Sequence, residues 1–156
     1  MLLGLSAVIV IIVIAILFWP RPFISDKIKN EVTSPIFVPS GQQVQNKKAT
    51  VKFDDKLKLL SFQSTIYSVN FTISEQPTPE SFTDIPQVYQ KVLASWKQYG
   101  QFDTAVGTVY LTRPGNQNGR QVGVLNAKGT LTFVKADKDL SDDQWRQTFN
   151  NLDIVK

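Results

Sequence analysis

Four aspartates crowd the stretch "KADKDLSDDQ": Asp137, Asp139, Asp142 and Asp143. Acids at this spacing suggest an oxygen-ligated cation such as calcium. The helix–loop–helix calcium site, however, needs a glycine at its sixth loop position and a glutamate at its twelfth. Counted from Asp137, those positions hold Asp142 and Thr148, so the pattern fails. A helix start explains the last two acids better. Ser141 supplies an N-cap, Gln144 completes a capping box, and Asp142 and Asp143 meet the positive end of the helix dipole.

Nucleophilic and acid–base chemistry find little support. The chain has no cysteine and no histidine, which removes thiol catalysis, disulfides, Cys/His zinc sites and histidine-based triads. Ser61 and Ser64 lie beside strand-like sequence without a flanking nucleophile signature. Glu75 and Glu80 flank the prolines of "SEQPTPESF", where exposed acids at a strand-to-helix turn are expected. The sequon Asn70-Phe71-Thr72 falls on a strand pattern whose alternation puts Asn70 and Thr72 on a polar face. No residue set names a reaction, and the sequence predicts a non-enzyme with no catalytic, metal or cofactor-binding residues.

Charge is more informative. The net +4 is lopsided: residues 21–58 hold eight basic and four acidic side chains, residues 59–156 nine of each. Lys47, Lys48, Lys52, Lys56 and Lys58 are the candidate contacts for an anionic surface. Basic residues close to an anionic bilayer surface gain about 1 kcal/mol each. They form no long run and accompany no nucleic-acid motif, so nucleic acid is not an expected partner.

The elements that would position these residues can be read from periodicity. "FISDKIKNEV" predicts a short helix, with Ser25 as N-cap and Ile24, Ile28 and Val32 on one face. "TSPIFVPSGQQ" predicts an extended link. "ATVKFDD", "KLKLLSFQ" and "IYSVNFTIS" alternate as strands, with Val69, Phe71 and Ile73 on one side. A helix is predicted over 85–99, where Tyr89, Trp96 and Tyr99 belong to the core stripe, against a role as a stacking platform. Strands follow over 101–106, 107–113, 120–126 and 130–136, then a final helix in "DLSDDQWRQTFNNLDIV" burying Leu140, Trp145, Phe149 and Leu152. The predicted class is α+β. A mainly antiparallel sheet of about seven strands carries packed helices in the order α-β3-α-β4-α.

Ahead of all this stand eighteen uncharged residues, Leu2 to Trp19. At 1.5 Å per residue they reach about 27 Å, enough to cross a hydrocarbon core. Trp19 suits the headgroup level, and Pro20 and Pro22 stop the helix. The run ends in Leu17-Phe18-Trp19-Pro20, which lacks the small residues of a signal cleavage site. The expected division is a transmembrane anchor at 1–20, a juxtamembrane helix and Pro-containing linker at 21–48, and an α+β domain at 49–156. Arg21, Lys27 and Lys29 follow the span and favour the inside, but a long domain translocates largely regardless of charge. The expected location is the cell membrane, single-pass, with the domain extracytoplasmic.

"SPIFVPSGQQV", "VNFTISEQPTPESF" and "GTLTFVKADKDLSDDQWRQTFNNL" together resemble a group of uncharacterised bacterial single-pass membrane-anchored proteins with a small extracytoplasmic domain. The element order is similar to the Mog1/PsbP-like fold, a seven-stranded antiparallel sheet between helices. The resemblance implies an envelope location and brings no site residues. The expected function is binding, with an envelope protein or an anionic cell-wall polymer as partner. The alternative is a structural subunit of an envelope assembly or pilus-like filament, although the acid that pilins carry near the mature N-terminus is missing from the apolar run.

Overall fold

The computed structural model describes residues 24–40, 44–45, 51–115 and 120–155. The apolar run Leu2 to Trp19 and the candidate contacts Lys47 and Lys48 lie outside the described residues. Among those described, no helix is long and apolar enough to cross a membrane.

The chain runs through α1 (Asp26–Glu31), β1 (Phe37–Pro39), β2 (Val44–Gln45), β3 (Lys52–Asp54), β4 (Leu59–Ile66) and β5 (Val69–Pro77). It continues through α2 (Glu80–Asp84), α3 (Pro86–Ser95), β6 (Gly100–Thr104), β7 (Gly107–Thr112), β8 (Val122–Ala127) and β9 (Thr130–Ala136). It closes with α4 (Asp142–Asn150) and β10 (Leu152–Ile154). The α+β class and the antiparallel sheet are as the sequence predicts. Two meanders meet side by side at β5 and β9, giving the order β4-β5-β9-β8-β7-β6. The short β2 and β3 share the outer edge of β4, the first opposite Thr65 and Ile66, the second opposite Leu59 to Ser61.

Strand composition decides which parts of the sheet are covered twice. β4 and β5 alternate strictly: Leu60, Phe62, Phe71 and Ile73 are buried on one face, while Gln63, Asn70 and Thr72 are exposed on the other. β8 and β9 are apolar on both faces, with Leu125 and Val134 on the first and Val122, Val124 and Leu131 on the second. A strand that is apolar on both faces needs cover on both. The front core therefore spans the sheet beneath Trp145 and Phe149 of α4 and the segment from Ile24 to Val38. The back core is a smaller cluster where Tyr89 and Leu93 of α3 pack on Val122, Val124 and Leu131. Among the described residues no helix or strand packs on the back of β4 and β5.

Four segments differ from expectation. "IYSVNFTIS" is broken by a two-residue hairpin at Tyr67 and Ser68, whose φ values of 49° and 60° fit a type I′ turn. Nothing in their side chains announces it. The predicted 85–99 helix is shorter and preceded by a separate turn of helix, α2, because Pro86 opens the second helix at its first position. The final helix stops at Asn150, and the residues after it turn into β10. β10 pairs with β1, so part of the predicted link at 33–43 becomes a core strand, with Phe37 fully buried.

Candidate functional site

The open back face holds a groove of about 830 Å³, floored by Gln63 and Thr65 of β4 and by Asn70 and Thr72 of β5. Small hydroxyl and amide side chains line it because this face of both strands is the polar half of the alternation. Arg120 and Lys135 rim it. At one end the polar groups form a chain. Thr65 Oγ1 donates to Asn70 Oδ1 at 2.9 Å, and Asn70 Nδ2 donates to Asp137 Oδ2 at 2.8 Å. Arg120 Nη1 donates to the Asp137 carbonyl oxygen, which holds the guanidinium at the rim. Lys135 is exposed and forms no ion pair among the described residues.

At its other side the groove runs into a second concavity of about 420 Å³, lined by Trp96, Pro114, Val122 and Phe133. Thr72 and Lys135 line both, so the polar floor and the apolar shelf are continuous. Trp96 caps α3, and its carbonyl oxygen accepts the Arg113 N–H at 2.9 Å. Its ring meets Phe133 edge-on at 5.6 Å between centroids. Sequence reasoning assigned Trp96 to the core stripe alone. The helix stops at Ser95, and Trp96, just past its end, packs half-buried against the back core where the cover of α3 ends.

The predicted contact lysines divide. Lys52 on β3 is exposed opposite Ser61, hence on the groove's face of the sheet. Lys56 and Lys58 sit in the β3–β4 turn, where Asp54 and Asp55 offset their charge. The Lys58 ammonium is ion-paired with Asp55, and Asp54 Oδ1 accepts the Lys56 N–H at 3.0 Å. The turn is thus locally neutral, and Lys52 shares a face of the sheet with Lys135 but stands on the outer edge strand, outside the groove's lining. Sequence reasoning missed Arg120 and Lys135 because they lie far from the basic segment and meet it only through the pairing of β5 with β9.

The aspartates of the 137–143 stretch fall into separate structural roles. Arg113 donates to Asp139 through both terminal guanidinium nitrogens at 3.0 and 3.3 Å, and Asp142 and Asp143 open α4 behind Ser141, whose capping box forms as expected. Among the described residues no three acids converge on one point. Ser61 and Ser64 lie on opposite faces of β4 and so share no site.

Glu75 departs most from expectation. It is not an exposed turn acid but a strand residue 3 % exposed, continuing the front-face series Val69, Phe71, Ile73. Both its carboxyl oxygens accept the Phe37 N–H, at 3.1 and 3.2 Å, and Thr132 Oγ1 donates to Oε1 at 3.4 Å. No cation faces it. Burial pushes its pKa up to about 8 against the downward pull of those hydrogen bonds. Beside it, Thr130 Oγ1 donates to the Pro35 carbonyl oxygen at 2.7 Å. These bonds fasten the segment before β1 to the sheet, a structural rather than a ligand-binding task.

No protein-family model matches this chain, and no curated protein and no solved structure shows detectable similarity to it.

Proposed function

We propose that the chain is a single-pass membrane protein whose α+β domain, on the extracytoplasmic side, binds an anionic polymer of the cell envelope along the open back face of its sheet. The observation that carries this reading is the polar groove rimmed by Arg120 and Lys135, with Lys52 on the same face. Two cations at the rim of the groove, with Lys52 farther along the same face, attract polyanions, because like charges on one face add their fields. Groups placed for proton transfer or nucleophilic attack are not part of this reading, since the groove's one carboxylate, Asp137, is held by Asn70. Leu2 to Trp19 supplies the anchor, and Lys47 and Lys48 follow the same charge logic near the membrane. A seven-position antiparallel sheet between helices also supports kinship with the Mog1/PsbP-like fold.

Reconstitution tests anchor and groove together. The full chain, placed in uncharged phosphatidylcholine vesicles, should float with them and capture labelled polyphosphate or polygalacturonate. The double substitution Arg120→Glu with Lys135→Glu should weaken capture about tenfold at low salt, the gap closing as salt screens the charges. Failure to float removes the anchor. Capture that ignores both reversals removes the groove.

A further inference from the structure

We infer that the groove's ligand is an acidic polysaccharide, its ring faces seated on the Trp96–Phe133–Pro114 shelf and its acid groups on Lys135 and Arg120. This rests on the anionic-polymer reading above and adds the chemistry of the repeating unit. Charge alone would suit any polyanion, but the shelf would not. It is an apolar surface with an aromatic edge, placed directly beside the cations rather than apart from them.

A pyranose ring presents C–H groups on one face and hydroxyls around its rim. The C–H face is apolar and gains by covering an aromatic or proline surface, while the rim needs hydrogen-bonding partners. The groove supplies both within one surface: Trp96, Phe133 and Pro114 for ring faces, and Thr72, Ser74 and Gln63 for hydroxyls. Lys135 and Thr72 stand at the junction, so an acid group attached to a seated ring falls within the ammonium's reach. From Gln63 on β4 to Val122 on β8 the surface crosses three strand spacings, about 14 Å. That is longer than one sugar ring, and the open ends suit a chain passing through. A ringless polyanion such as polyphosphate would leave the shelf unused.

The test uses the full chain in detergent micelles with three probes: polygalacturonate, polyphosphate of matched charge, and neutral dextran. Polygalacturonate should bind about tenfold tighter than polyphosphate, and dextran far more weakly than either. Trp96→Leu should bring polygalacturonate down to the polyphosphate level and leave polyphosphate unchanged. Because Trp96 also packs on Phe133, Pro114→Ser gives a second route. It removes apolar surface at a half-buried loop position that lines the shelf and not the polar groove, and should have the same selective effect. Equal binding of the two polyanions, with both variants silent, would overturn the ring subsite and leave the anionic groove standing. Dextran binding as tightly as polygalacturonate would overturn its acidic character. Absence of binding by any probe would overturn this inference and the reading beneath it together.

Discussion

Glu75 shows how the fold can settle the charge of one side chain. The folded protein keeps its proton up to about pH 8, whereas an unfolded glutamate releases it near 4.5. Between those values folding takes up a proton, so rising pH works against the native state. The stability tied to neutral Glu75 is complete below about 4.5 and lost as pH climbs through about 8. Glu75→Gln, which keeps a carbonyl acceptor for the Phe37 N–H, removes the titration. In urea unfolding it should match the wild type near pH 5 and exceed it by roughly 4 kcal/mol near pH 9. A constant gap across that range would show that Glu75 is not held neutral. The residue was legible in the sequence by parity alone, two positions beyond Ile73 on the apolar face. The neighbouring prolines, which mark a turn, masked that signal.

The docking of α4 shows what an element demands of the strand beneath it. Trp145 and Phe149 sit at helical spacing on its inner face, and both are fully buried. They reach the sheet at Gly123, where an added methyl would meet the Phe149 ring at 2.4 and 2.7 Å and Trp145 at 3.2 Å. An aromatic ring locked in a packed core cannot retreat that far, so the helix itself would have to lift. Gly123→Ala should therefore cost about 1–3 kcal/mol, seen as a lower urea midpoint with an unchanged slope. An unchanged midpoint would mean that α4 rides more loosely than its packing implies. The helix start could be read from "LSDDQ", because caps and dipole partners are local chemistry. Its end could not. β10 is three residues long and exists only because β1, far away in sequence, lies alongside it. The Tyr67-Ser68 hairpin was hidden for a similar reason: the pairing of β4 with β5 imposes positive φ on residues that do not ask for it. Asn151 Nδ2 donating to the Tyr67 hydroxyl at 3.1 Å ties that turn to the end of α4.

At the scale of the molecule, the sheet is covered by helix and strand across its front and only in part across its back. Alternation in β4 and β5, against doubly apolar β8 and β9, makes that division readable residue by residue. The adjacency of the two meanders was not readable, and the groove depends on it. Lys135 and Arg120 belong to the second meander, while Gln63 and Thr72 belong to the first. The expectation of an anionic partner came from the basic segment at 21–58, whereas the two cations of the groove, Arg120 and Lys135, lie outside that segment. A chain without cysteine allows a direct test, since one introduced thiol can be labelled uniquely. An environment-sensitive fluorophore is placed at Gln63→Cys in the groove or at Asn150→Cys on exposed α4, in the full chain in detergent, and polygalacturonate is titrated in. A saturable, salt-sensitive response is expected at position 63 and a flat trace at 150. Equal responses at both positions, or a response at 150 alone, would contradict binding in the groove.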